Sequence, residues 1–499
     1  MTIDHQPTRD ATSIEQADSP FFPMLIGGEL VPSHSGHTIA AVDPASGETI
    51  GHFPRGDEAD VDSAVQAAHR AAPAWRALNP LERAALVHQI ADAVVDRADE
   101  LAHLDVADNG SPIREMRRDA FIAAAQLRYF AGLALHDRGE TIPGDHGRLN
   151  YTIRQPFGVV GRIIPFNHPL MFAAGRLAAP LIAGNTAVLK PSEHTSLSAL
   201  RFGQLLSDIL PPGVVNVVTG YGQEAGDALA VHPQVRRLAF TGSAEIGRSI
   251  QQRAATHTVK TLSLELGGKN PIVVFPDADL AAALDGAVRG MNFTWQGQSC
   301  GSTSRLLVHR SVHKQFVEQL ASLLDAMRSG PPSDEATDTG AIVHRRQFEK
   351  VLDYIKIGRD EGARLVAGGV TVSDGLMSRG MFVRPTLFDD VSPDSRLARE
   401  EIFGPVLAVM PFDSYDEAIR IANGVPYGLT ASVFTSDLAT AHRFARDVDA
   451  GYIWVNDAAR HFPGTAYGGI KDSGVGREEG FEELLSYSQT KNVNVNIGS

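Results

Sequence analysis

Between positions 57 and 77, Val61, Ala64, Val65 and Ala68 recur three and four residues apart, the spacing of a helix with one buried stripe. A second helical pattern runs over 81–108 and is stopped by Asn109-Gly110, and a third covers 114–135. Ahead of them, 24–51 alternates short apolar pieces with turn signals such as Gly27-Gly28 and Asp43-Pro44, which predicts small strands. The period then changes. Residues 140–156 are polar and punctuated by Gly and Pro, with a strand-like centre at Tyr151–Arg154. Short apolar runs at 158–164, 186–189, 214–218 and 238–240 are separated by helical stretches, and this alternation predicts an open parallel sheet. A second such series follows Gly268: strand 272–275, helix 280–296, strand 306–309 and helix 312–327, continuing to a strand at 452–456.

The 499 residues exceed what one ordinary core holds, so two or three domains are expected. Lys plus Arg number 45 against 59 Asp plus Glu, a net charge of −14 that disfavours nucleic-acid and anionic-membrane surfaces. No apolar run reaches the roughly 18 residues of a membrane span. The one cysteine precludes an intrachain disulfide and suits a reducing compartment, so the cytoplasm is the expected location. Residues 1–20 lack the apolar stretch of a targeting signal and read as a disordered lead-in. None of the motifs calls for a metal.

Several short segments carry residues suited to chemistry. Cys300 lies between glycines in Gly297-Gln298-Ser299-Cys300-Gly301; it is either a small buried hydrophobe or an accessible nucleophile. Glu265, between two leucines and ahead of Gly267-Gly268, is either half of a buried ion pair with Lys269 or a carboxyl raised in pKa for use as a base. Asn167, flanked by Pro165 and Pro169, is a turn filler or an oxyanion donor. Gly242, Ser243 and Gly247 open a helix after an apolar strand, a setting in which Ser243 caps the helix and its amides face a pyrophosphate.

Taken together these segments resemble the aldehyde dehydrogenase superfamily over about 24–495. The family's motifs occur in order: PFN around Asn167, KPSE at 190–193, FTGS at 240–243, LELGGKNP at 264–271, GQSC…R at 297–305, EEIFGP at 400–405 and GG-K-SG-GRE ending at Glu478. The likeness implies an α/β fold with a Rossmann-like NAD-binding domain (21–139 and 157–266) and an α/β catalytic domain (267–480). A small β oligomerisation extension (140–156 and 481–499) would build a homodimer or homotetramer. It implies oxidation of a small-molecule aldehyde to the acid with NAD. Cys300 would be the nucleophile, Asn167 and the Cys300 amide the oxyanion donors, Glu265 the base for water and Glu478 a proton relay. Cofactor contacts would come from Ile164, Pro165, Phe166, Lys190, Ser192, Glu193, Gly242, Ser243, Gly247, Leu266, Glu401 and Phe403.

Position beside these motifs suggests a substrate pocket of His168, Phe172, Trp295, His461 and Phe462, favouring a medium-sized apolar or aromatic aldehyde. Arg176 and Arg460 leave an acid-ended aldehyde open. The Glu193 charge disfavours the 2′-phosphate of NADP. Three departures from the family pattern cluster near the site: Phe166 for a frequent Trp, Tyr467 for the Phe of Pro-Phe-Gly-Gly, and Gly301 for a larger residue after the nucleophile. The alternatives are a CoA-acylating semialdehyde dehydrogenase, whose branch usually lacks the glutamate matched by Glu265, and a catalytically silent member with a binding role.

Overall fold

A computed structural model of the chain describes residues 19–498; the expected lead-in lies outside these except for Ser19 and Pro20. Its two main sheets account for the two α/β series. The first has eight strands, ordered Glu29–Val31, Met24–Ile26, Val215–Val217, Thr186–Lys190, Val159–Ile163, Val235–Thr241, Thr261–Glu265 and Gly474–Val475. The middle five run parallel, with Ile163 paired to Lys190 and to Phe240, and Thr241 paired to Glu265. Their near-continuous burial is what a sheet covered on both faces requires. The outermost pairings are antiparallel, and Gly474–Val475 reaches this sheet from far along the chain.

The second sheet has seven strands, ordered Arg364–Ala367, Thr386–Asp389, Val406–Phe412, Arg305–His309, Pro271–Val274, Thr430–Phe434 and Tyr452–Val455. All of its pairings are parallel except the first. Ser488–Asn496 pairs antiparallel with the whole of Arg148–Pro156, which also holds Thr141–Ile142 on its other side. Among the described residues no helix is long and apolar enough to cross a membrane.

The first helix, Glu58–Ala77, matches its predicted stripe and starts at an Asp57 capping box. The single helix expected over 81–108 is instead two, Pro80–Asp96 and Ala98–Asn109, divided at Arg97. The second of these buries Asp105 and Asp108, whose carboxylates accept the amides of Leu170 and Leu197 and so cap later helices. The helix expected over 280–296 stops at Gly290. Asn292 and Gln296 both take left-handed backbone, φ 53°, and fold the chain into a tight turn over Phe293–Trp295. That turn delivers Cys300.

Candidate active site

The register of the first sheet gathers most of the predicted residues. Lys190, Ile164, Thr241 and Glu265 all stand at the carboxyl ends of adjacent parallel strands, where open α/β sheets bind ligands. The Ile164 amide donates to the Lys190 carbonyl (3.0 Å), and the Gly242 amide to the Glu265 carbonyl (3.0 Å), which locks the loops together. Asn167 follows directly, buried, with no hydrogen bond from its side-chain amide among the described residues.

Beneath this edge lies a cluster of buried charges. Arg162, on the Val159–Ile163 strand, donates to Glu478 (2.8 Å) and to the Tyr487 hydroxyl (2.8 Å). The Arg176 guanidinium reaches Glu478 (3.1 Å), Glu479 (2.9 Å) and Glu483 (4.0 Å). Glu479 also accepts from His461 (3.0 Å). The carboxyls divide into two pairs. Against the cost of burial, Arg162 and Arg176 hold Glu478 below the usual range, and His461 and Arg176 hold Glu479 down to about 2. Burial and the Glu478 charge push Glu483 up to about 7 and Glu265 well above its ordinary value. Two guanidiniums and His461 thus support two carboxylates, Glu265 stays protonated near neutrality, and Glu483 titrates there.

Glu265 is 4% exposed, and neither of its oxygens has a hydrogen-bond partner among the described residues. The ion pair with Lys269 does not form; Lys269 is itself buried, and burial pushes its ammonium down to about 7. Gly468 leaves the space for Glu265, because a Cβ there would lie 2.6 Å from its carboxyl oxygen.

Cys300 is half-buried on the loop before the Arg305–His309 strand. Asn270 fixes that loop, donating to the carbonyls of Cys300 (2.7 Å) and Ser302 (3.0 Å) and accepting the Thr430 amide (3.0 Å). Gly297, at φ 68°, packs against the Gly404 carbonyl, where a Cβ would come within 2.3 Å. The Sγ atom lies 3.8 Å from the Tyr467 hydroxyl. Burial pushes the thiol up to about 12; Tyr467 and Arg176 pull it down, and the Glu265 and Glu401 charges push it up.

The neighbouring surface suits a dinucleotide. Lys190 and Glu193 pair at 3.5 Å, and Lys190 holds Glu193 below the usual range against its burial. Ser192 turns the chain there by accepting the His194 amide. Ser243 caps the Ala244–Ala254 helix through the Ile246 amide. The first-turn amides of Ala244 and Glu245 lack internal partners, as anion-binding helix starts do. Gly247 lets this helix approach Leu266, which a Cβ would meet at 2.5 Å. On the Cys300 side, Glu401 accepts the Gly268 amide (2.9 Å), and a Cβ on Gly267 would come within 2.1 Å of the same carboxylate. Phe403, held at φ 59°, sets its ring 5.5 Å from that of Phe166, beyond Pro165. A carboxylate for ribose hydroxyls, an ammonium, free helix amides and a narrow backbone cleft form a donor set that fits NAD.

His168, Phe172 and Trp295 group together, with ring centroids 5.6 and 5.3 Å from His168, which is anchored to Asp119 at 2.6 Å. His461 joins a different group, with Tyr467 (4.7 Å), Tyr452 (5.8 Å) and Trp454 (6.0 Å). Phe462 is 56% exposed and belongs to neither. Arg176 is committed to its glutamates and cannot anchor a substrate carboxylate, and Arg460 lies exposed beside Asp457. The sequence reading missed Arg162, Asn270, Glu479 and Glu483. An arginine in the middle of an apolar strand was the available signal for Arg162, since such a charge needs a buried counter-charge.

Comparison with known proteins matches residues 30–493 to the Aldehyde dehydrogenase family. The chain is 44% identical over 464 residues to aldehyde dehydrogenase tropH of Talaromyces stipitatus, covering 92% of this chain and 90% of that one. It superposes on PnpE of Pseudomonas sp. WBC-3 in complex with nicotinamide adenine dinucleotide, with TM-score 0.94, 42% identity and coverage of 96% and 98%. An indole-3-acetaldehyde dehydrogenase from P. syringae, in complex with NAD+ and IAA, gives TM-score 0.93, 39% identity and coverage of 95% and 96%.

The charge cluster generates a prediction with a sign. Arg162→Met strips Glu478 of one partner, and breaking such a buried pair costs about 3–5 kcal/mol. Because the guanidinium lowers the folded-state pKa of Glu478, its contribution is present above the ordinary carboxylate range and is lost as pH falls through the lowered value. The variant's deficit should therefore be larger at pH 7 than at pH 3.5, below the ordinary carboxylate range. Thermal unfolding at both values checks this, and an equal deficit at the two contradicts it.

Proposed function

The chain belongs to the aldehyde dehydrogenase family, and on that premise we propose that Cys300 attacks the aldehyde and Glu265 activates the water that releases the acid. The enzyme oxidises an aldehyde to the carboxylic acid with NAD. One observation carries the assignment of roles: a buried carboxyl without hydrogen-bond partners packs on Gly468, next to the Tyr467 whose hydroxyl lies 3.8 Å from the half-buried Cys300 sulfur.

Attack of Sγ on the carbonyl carbon leaves negative charge on the aldehyde oxygen. Asn167, whose amide is uncommitted, and the Cys300 backbone N–H are the donors assigned to that oxygen. NAD, when bound, supplies the hydride acceptor; Lys190, Glu193 and the start of the Ala244–Ala254 helix would hold its adenosine side, and Glu401 and Phe403 its nicotinamide side. The acyl group is then a thioester on Cys300. Glu265 takes a proton from water, the hydroxyl oxygen bonds to the acyl carbon, and the C–S bond breaks to free the acid and the sulfur. Glu478, assigned as the second acid, is held anionic by two guanidiniums and makes Glu265 a stronger base. The unpaired Glu265 favours water over CoA as the acyl acceptor.

The two aromatic groups favour an apolar or aromatic aldehyde of medium size. The similarity to an indole-3-acetaldehyde dehydrogenase supports that choice. The long Ser488–Asn496 strand pairs on one edge only among the described residues, and covering the other edge with a second subunit supports a homodimer or homotetramer. A lone cysteine supports a cytoplasmic location.

Glu265→Gln should form the acyl-enzyme and then stall, because the amide cannot take a proton from water. Steady turnover should fall about 10²–10⁴-fold, after a burst of NADH near one per active site. In the parent, deacylation should rise with pH, since burial holds Glu265 protonated at lower pH, and that slope should vanish in the variant. Cys300→Ala should show no burst. Rapid-mixing absorbance with mass spectrometry of quenched protein measures all three, and a variant deacylating at the parental rate contradicts the role.

NAD should be used in preference to NADP. Two unit charges about 4 Å apart repel by roughly 4 kcal/mol at an effective dielectric of about 20. Glu193→Gln should narrow the ratio of kcat/KM for the two cofactors, and equal values in the parent would refute the assignment of Glu193.

A further inference from the structure

Two of the departures from the family pattern meet in space. Tyr467 puts a hydroxyl 3.8 Å from Sγ of Cys300 at a position where the family pattern carries phenylalanine. A Cβ on Gly301 would stand 3.1 Å from that same hydroxyl oxygen, so any side chain after the nucleophile would press on it by a few tenths of an ångström. The Gly301 backbone is not in the left-handed region, and its conformation does not by itself demand glycine.

We propose that Tyr467 donates a hydrogen bond to the Cys300 sulfur and so favours the thiolate, with Gly301 as the position that admits the donor. This rests on the reading of Cys300 as the nucleophile. Thiol reactivity depends on the ionised fraction, and a donor to the charged form increases it. The charged and titratable groups that act on the sulfur are few. Glu265 and Glu401 oppose ionisation, Arg176 favours it from within its own ion pairs, and Tyr467 is the side chain hydrogen-bonded to it.

The tyrosine is held to this task. It is 5% exposed, and its ring packs on His461 at 4.7 Å and on Tyr452 at 5.6 Å. Its backbone exchanges two hydrogen bonds with Glu478, at 2.8 and 2.7 Å, which ties its position to the Arg162–Arg176 cluster. Burial holds the phenol well above its usual range, so it remains a donor throughout the working pH range.

Because Cys300 is the only cysteine, alkylation by iodoacetamide followed by intact mass reads the sulfur directly, without substrate or cofactor. Tyr467→Phe should move the pH profile of alkylation upward by about one unit, a roughly ten-fold slower reaction at pH 7. Gly301→Ala, which crowds the hydroxyl while keeping the phenol, should slow alkylation in the same direction. In the Tyr467→Phe background it should add little, because no hydroxyl remains to displace. Unchanged alkylation profiles in both single variants overturn the proposal. So do slowed alkylations that simply multiply in the double variant, and so does a loss of aldehyde oxidation with the profiles intact, which would put the hydroxyl on the substrate. Failure of the underlying reading is separately visible: Cys300→Ala would then retain NAD-dependent oxidation.

Discussion

The two guanidiniums of Arg162 and Arg176, buried beneath the end of the parallel sheet, set the charge state on which the site depends. Taking a guanidinium out of water is tolerable only if carboxylates come with it, and the 478–483 segment supplies them. That requirement draws a distant part of the chain onto the first sheet, where Gly474–Val475 also adds a strand. It also fixes how many acids can ionise. The two guanidiniums, with His461, support Glu478 and Glu479, and Glu265 and Glu483 are left with the cost of burial and the repulsion of their ionised neighbours.

The proposed base and the proposed nucleophile are thus governed by a single arrangement. Glu265 is basic because it is buried and because Glu478 is already charged, and Tyr467 is placed against the thiol with its backbone bridged to Glu478. The sheet register brings Lys190, Asn167, Ser243 and Glu265 to a common edge, and the second sheet brings Cys300 on a loop pinned by Asn270. The edge proposed for the cofactor and the Cys300 loop come together where the Phe166 and Phe403 rings meet.

Much of this was legible in the sequence where a feature is local. Apolar runs located four parallel strands of the first sheet and three of the second to within a few residues, leaving 386–389, 406–412 and 430–434 unread, and Asp57 and Ser243 marked helix starts that the structure keeps. Motif residues such as Cys300, Glu265 and Asn167 stand out because their flanking Gly, Leu and Pro restrict the backbone around them. What was not legible is non-local. Asp105 and Asp108 cap helices 65 and 89 residues further on, a use their local pattern does not reveal. Arg176 read as a possible substrate anchor because its partners lie more than 300 residues away. Phe462, beside His461 in sequence, is 56% exposed, an accessibility that its place in the chain does not reveal. Tyr467 and Gly301 each registered as an isolated departure, and only their proximity gives the pair a meaning.

The central claim is that burial and the charge of Glu478 hold Glu265 neutral in the resting protein. Infrared difference spectroscopy between the parent and Glu265→Gln, at neutral pH without substrate, tests it most directly. The account predicts a protonated carboxyl C=O band in the parent that disappears in the variant. A parent lacking that band, with only a carboxylate signal lost on substitution, would show Glu265 ionised in the resting protein and contradict the charge balance.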